Sequence, residues 1–68
     1  MYSNLRKALL YKNISFVSYA KMLGITDKSV QNKLNGVTEF TLREVLATME
    51  LFPEYRVEYL FAIDEKSA

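Results

Sequence analysis

Cysteine and histidine are both absent from the 68 residues. Without thiols there is no disulfide, no thiolate metal site and no thiol nucleophile. Without imidazole the usual general base and the usual zinc ligand are missing too. Catalysis would have to rest on scattered carboxylates and lysines, and no pair of these shows an activating arrangement. The expectation is therefore a binding protein rather than an enzyme, with no metal, no cofactor and no small-molecule substrate. Glycine occurs twice and proline once, while half of the residues are hydrophobic and a quarter are charged. That composition suits a compact helical domain, not a disordered or fibrous chain. No apolar run approaches the roughly 18–20 residues of a membrane span. Nor does the N-terminus lead into an apolar stretch with a small-residue cleavage site. The chain is expected to be cytoplasmic, with no membrane partner. Its length allows one domain, residues 1–68, with a core that is marginal by itself. Of the usual supports for so small a core, only a partner subunit is left open.

The net charge of +1 hides an uneven distribution. Residues 1–36 hold six cations (Arg6, Lys7, Lys12, Lys21, Lys28 and Lys33) against the single acid Asp27, a balance of +5. Residues 37–68 hold three cations against seven acids, a balance of −4. Such asymmetry suggests a first half that faces a polyanion; the bland alternative is a chance grouping of solvated charges.

Asn13, Gly24, Asn35-Gly36 and Pro53 divide the chain into five short helical segments, with no competing strand pattern. The first is expected from Ser3, as N-cap, to Lys12, with Leu5, Ala8, Leu9 and Lys12 on one stripe and Arg6 and Lys7 in solvent. Ser15 caps the second, Phe16 to Leu23, and Gly24 ends it. Thr26 caps the third, Asp27 to Asn35, in which only Val30 and Leu34 are apolar; Gly36 follows. Thr41 and Glu44 form a capping-box pattern for the fourth, which runs to about Phe52 with Leu42, Val45, Leu46 and Met49 as its apolar stripe. Pro53-Glu54 starts a turn or a last short helix reaching about Phe61. The fold class is all-α.

Two helices of about eight residues joined through Leu23-Gly24-Ile25-Thr26 form a helix-turn-helix arrangement. Ala20 lets the second helix approach the third, Gly24 takes the turn conformation, and Ile25 and Val30 fill the angle beneath. The outward residues of the third helix are Asp27, Lys28, Gln31, Asn32 and Asn35, at offsets 0, 1, 4, 5 and 8, and these share one side. Lys, Gln and Asn are the side chains that read base edges: Lys the guanine acceptors, Gln or Asn adenine in bidentate fashion. The bland alternative is an ordinary helix corner with a solvated outer face.

The run SFVSYAKMLGITDKSVQNKLNG, with Ser15, Ala20, Gly24, Ile25, Thr26, Val30 and Asn35-Gly36 in order, resembles the Cro and phage-repressor (XRE-like) helix-turn-helix family. The likeness covers the whole chain, since members carry one helix before this unit and two after it. The tail looks like that of small regulators of Gram-positive phages and prophages. The resemblance implies a five-helix DNA-binding domain in a bacterial host cell that acts as a transcriptional regulator, most simply a repressor, on a double-stranded DNA operator. It places the third helix in the major groove, with Asp27, Lys28, Gln31 and Asn32 on bases and Ser15, Ser29, Lys33 and Asn35 on phosphates. Two positions depart from the pattern. Phe16 stands where the family usually has a polar residue, often Gln, and Lys33 stands where an apolar residue is usual.

From Leu51 to Ile63 there are eight large apolar side chains in thirteen positions. Leu51, Phe52, Leu60 and Phe61 are expected in the core. Tyr55, Val57, Tyr59 and Ile63 are expected at a two-fold homodimer interface, unless the tail only closes the monomer's own core. A second function also fits: a helix-turn-helix-fold adaptor or antirepressor that binds a protein through its acidic, aromatic C-terminal half.

Overall fold

The computed structural model describes residues 1–64; the last four residues of the expected domain lie outside the described part. Five α-helices follow one another: α1 (Ser3–Tyr11), α2 (Phe16–Leu23), α3 (Asp27–Leu34), α4 (Leu42–Leu51) and α5 (Val57–Leu60). No strand occurs among the described residues. The chain is all-α, as its sequence predicts. No helix among the described residues is long and apolar enough to cross a membrane.

Three helices begin on the caps that the sequence marks. The hydroxyl of Ser15 accepts from the Ser18 amide, that of Thr26 from the Ser29 amide, and that of Thr41 from the Glu44 amide. Glu44 completes the capping box by accepting the Thr41 amide at 2.9 Å. The start of α1 differs. Tyr2 precedes the helix in the left-handed region (φ 60°) with no side-chain cap, and Ser3 lies inside the helix. The Ser3 hydroxyl donates instead to Asp64 Oδ1 at 2.7 Å, which ties the chain's start to its end.

Three helices also end alike. Asn13, Gly24 and Gly36 take positive φ. The next amides, of Ile14, Ile25 and Val37, bond carbonyls five residues back, on Leu9, Ala20 and Asn32, at 2.8–2.9 Å. This is the Schellman arrangement, which satisfies orphan carbonyls and turns the chain sharply. Ile14 and Ile25 then fold back onto the core.

The core is Leu5, Ala8 and Leu9 from α1, Tyr19 and Ala20 from α2, Val30 and Leu34 from α3, with Phe52 and Leu60. α2 lies closely on α3, α1 on α5, and α2 also on α4. Leu51 and Phe61 pack against this core half-buried.

The expected stripe of α4 holds only in part: Val45 and Met49 are half-buried, with Met49 against the core, but the two leucines are not. Leu42 is 73% exposed and Leu46 58%, while Glu44 and Thr48 face inward. The reason is a pair of polar anchors. Lys33 Nζ lies 3.2 Å from Glu44 Oε1, and the Tyr19 hydroxyl is 2.6 Å from Thr48 Oγ1. Every buried side-chain nitrogen or oxygen among the described residues has a partner, so turning these groups inward leaves no polar atom stranded. Of the two alternatives at Pro53-Glu54 the turn is found, over residues 53–55, and the short α5 follows it.

Candidate nucleic-acid interface

The side of α3 opposite the core is built by elimination. Val30 and Leu34 are fully buried and fix the helix by one edge. Asp27, Lys28 and Gln31 are exposed, and Asn32 is half-buried beside them. None of these four side chains makes a hydrogen bond or ion pair with any described residue, so their donors and acceptors stay available. Thr26 caps the N-terminal turn from which they project, and Asp27 complements the positive end of the helix dipole.

The four residues expected on phosphates have separate fates. Ser15 is exposed at the start of α2, where it caps the helix and also meets the Ser18 hydroxyl at 3.1 Å. Ser29 is half-buried, and its amide and hydroxyl oxygen are both engaged by Thr26. Asn35 is exposed just past α3, with its side-chain oxygen accepting from Arg6 Nη2 at 2.7 Å. Lys33 is the correction. Its side chain is only 12% exposed and points inward to Glu44, while its ammonium also donates to the Glu39 carbonyl at 3.0 Å. A lysine held this way cannot serve a phosphate without breaking its ion pair.

Arg6 was missed by sequence reasoning. It is off the buried stripe of α1, which normally means solvent, yet its guanidinium bridges the Met1 carbonyl and the Asn35 side chain. The contact spans 29 residues of sequence, so local pattern carries no signal for it. Lys21, in the last turn of α2, is exposed.

Charge is redistributed by folding. Lys12 pairs with Glu54 at 3.3 Å, donates to the Leu51 carbonyl and lies 5.1 Å over the Phe52 ring. The Glu54 carboxyl sits below its ordinary pKa, first through a hydrogen bond from its own backbone and then through Lys12. Lys12 and Lys33 of the basic half are thus matched by acids of the other half. Arg6, Lys7, Lys21 and Lys28 remain with no acidic partner among the described residues.

In the C-terminal segment, Tyr55 is half-buried and committed within the chain, edge-on to Phe52 at 5.9 Å and stacked on Tyr59 at 5.5 Å. Val57, Tyr59 and Ile63 are 42–57% exposed. Among the described residues no group of three acidic side chains could hold a metal ion. Compared with protein-family models, curated proteins and solved structures, the chain matches none of them.

Proposed function

We propose that the chain is a sequence-specific double-stranded DNA-binding transcriptional regulator of the helix-turn-helix, Cro-like type. The observation that supports it best is the outer side of α3. Four side chains suited to base edges stand unpartnered on a capped helix whose other side is locked in the core. Gln31 and Asn32 suit adenine, Lys28 suits guanine, and Asp27 can accept from the amino group of cytosine. Ser15, the exposed amide side of Asn35, Lys21 and Arg6 would hold the backbone and fix register without reading sequence. Lys33 has no place in that set.

The test is a pair of titrations, on a selected duplex and on random duplex. Gln31→Ala or Asn32→Ala should each cost about 1–3 kcal/mol on the selected sequence and relax the preference at one base pair. Equal losses on both duplexes would refute the base-reading role.

A second reading has an observation behind it as well. Leu42, Leu46, Val57, Tyr59 and Ile63, all from the acidic half, are largely exposed, as in a module that docks on a protein. A chain that binds no DNA even at low salt would be an adaptor or antirepressor of this kind.

A further inference from the structure

We propose that the solvent side of α4 is a two-fold homodimer surface, on which a second copy of the chain packs its own α4 antiparallel. The inference goes beyond the DNA-binding proposal and does not rest on it.

Leu42 and Leu46, one helical turn apart, are the most exposed apolar residues of α4, and half-buried Met49 continues their row. A row of this spacing ordinarily meets a core. In this fold the core side of α4 is already taken by Glu44 and Thr48, held by Lys33 and Tyr19. Leu42 and Leu46 are left without a partner in their own chain, while Met49 packs half-buried on its core.

What identifies the partner is the charge beside that row. Arg43 and Glu50 are exposed on the same side of the helix, and neither has a hydrogen-bond or ion-pair partner among the described residues. They are seven residues apart, two turns or about 10.5 Å along the axis, with Leu46 and Ala47 midway between them. A two-fold axis crossing the helix at that midpoint sets Arg43 of each copy level with Glu50 of the other. The same operation puts Leu46 beside its symmetry mate and the small Ala47. Such a contact is isologous: one patch complements itself, so a single pattern on one helix makes both ion pairs. A parallel pairing would set arginine against arginine and glutamate against glutamate, which charge repulsion disfavours. The surface therefore specifies both its partner and its direction.

This moves the two-fold contact away from the C-terminal segment. The Tyr55 and Tyr59 rings stack on each other within one chain. Ile63, by contrast, lines the same depression as Val45 of α4.

The deciding experiment is sedimentation of the full chain, without nucleic acid, across the micromolar range. The wild type should pass from monomer to dimer. Leu46→Glu should stay monomeric with its helical circular dichroism intact, since the position is on the surface. Arg43→Glu and Glu50→Arg should each weaken dimerisation by about ten-fold or more, because each sets like charges together. Mixing those two variants should restore dimers as heterodimers, since each copy then supplies the charge the other needs. The double variant should restore homodimers. Only antiparallel pairing through these two positions gives both rescues, and neither depends on how well Leu46→Glu folds. A wild type that stays monomeric throughout the micromolar range would overturn the proposal, as would a mixture that fails to associate. Disruption by Tyr59→Glu but not by Leu46→Glu would overturn it in favour of the C-terminal segment.

Discussion

Thr48 has one hydroxyl hydrogen, and it goes to the Glu44 carbonyl at 2.8 Å. The 2.6 Å contact with Tyr19 is therefore donated by the phenol, which has no other partner in the core. The two side chains are not equivalent in what their loss leaves behind. Tyr19→Phe removes a donor and leaves Thr48 bonded to Glu44, which should cost about 0.5–1.5 kcal/mol. Thr48→Val leaves a buried phenol with no acceptor and should cost about 1–3 kcal/mol. Urea unfolding of both variants checks the order; a larger loss for Tyr19→Phe would contradict the donor assignment. Burial also pushes the Tyr19 pKa from 10.0 up to about 12, and nearby Glu44 adds to it. Above pH 10 the unfolded chain releases this proton more readily than the folded one. The contribution is thus fully present below pH 10 and lost as pH rises through about 12. Its full extent is roughly 2–3 kcal/mol. Alkaline unfolding curves should flatten over that range in Tyr19→Phe and in no exposed-tyrosine variant.

At the scale of the helices, much of the architecture is legible in single residues. Ser15, Thr26 and Thr41 cap the helices they precede, since a short hydroxyl side chain supplies the acceptor that a first turn lacks. Asn13-Ile14, Gly24-Ile25 and Gly36-Val37 each pair a residue tolerant of positive φ with an apolar one, and each ends a helix in the same way. The orientation of α4 is not legible. Apolar spacing selects Leu42, Val45, Leu46 and Met49, because it cannot register that Tyr19 and Lys33, from α2 and α3, offer partners for polar groups on the opposite side. Ser3 fails for a similar reason: a hydroxyl near a helix start looks like a cap until a carboxylate 61 residues away is seen to accept it. The outer face of α3 was legible in kind, through Lys28, Gln31 and Asn32, but not in its cations. Lys33 belongs to the joint between α3 and α4, whereas Lys28 projects freely. Lys33→Met should cost about 1–3 kcal/mol of stability by stranding the Glu44 carboxylate. It should leave the salt dependence of DNA binding unchanged. Lys21→Ala, at an exposed lysine assigned to the backbone, should change stability by less than about 0.5 kcal/mol and flatten the salt slope by about one. Thermal unfolding and binding titrations on the same samples separate the two; a flattened slope for Lys33→Met would restore it to the DNA-binding set.

At the scale of the molecule, the division between a basic and an acidic half is partly cancelled by folding. Lys12–Glu54 and Lys33–Glu44 join the halves, so the surface of the first half is less basic than its composition implies. Four cations, Arg6, Lys7, Lys21 and Lys28, remain to meet a polyanion. Each neutralised phosphate contributes about −0.9 to the slope of log K against log salt, so the slope per copy should be no steeper than about −4. Selection of the full chain against a pool of randomised duplexes, followed by titration at two salt concentrations, tests the central proposal most directly. A discrete enriched sequence, bound more tightly than random duplex and weakened by salt within that slope, is the expected result. No enrichment, together with no binding at low salt, would contradict a DNA-reading role for α3.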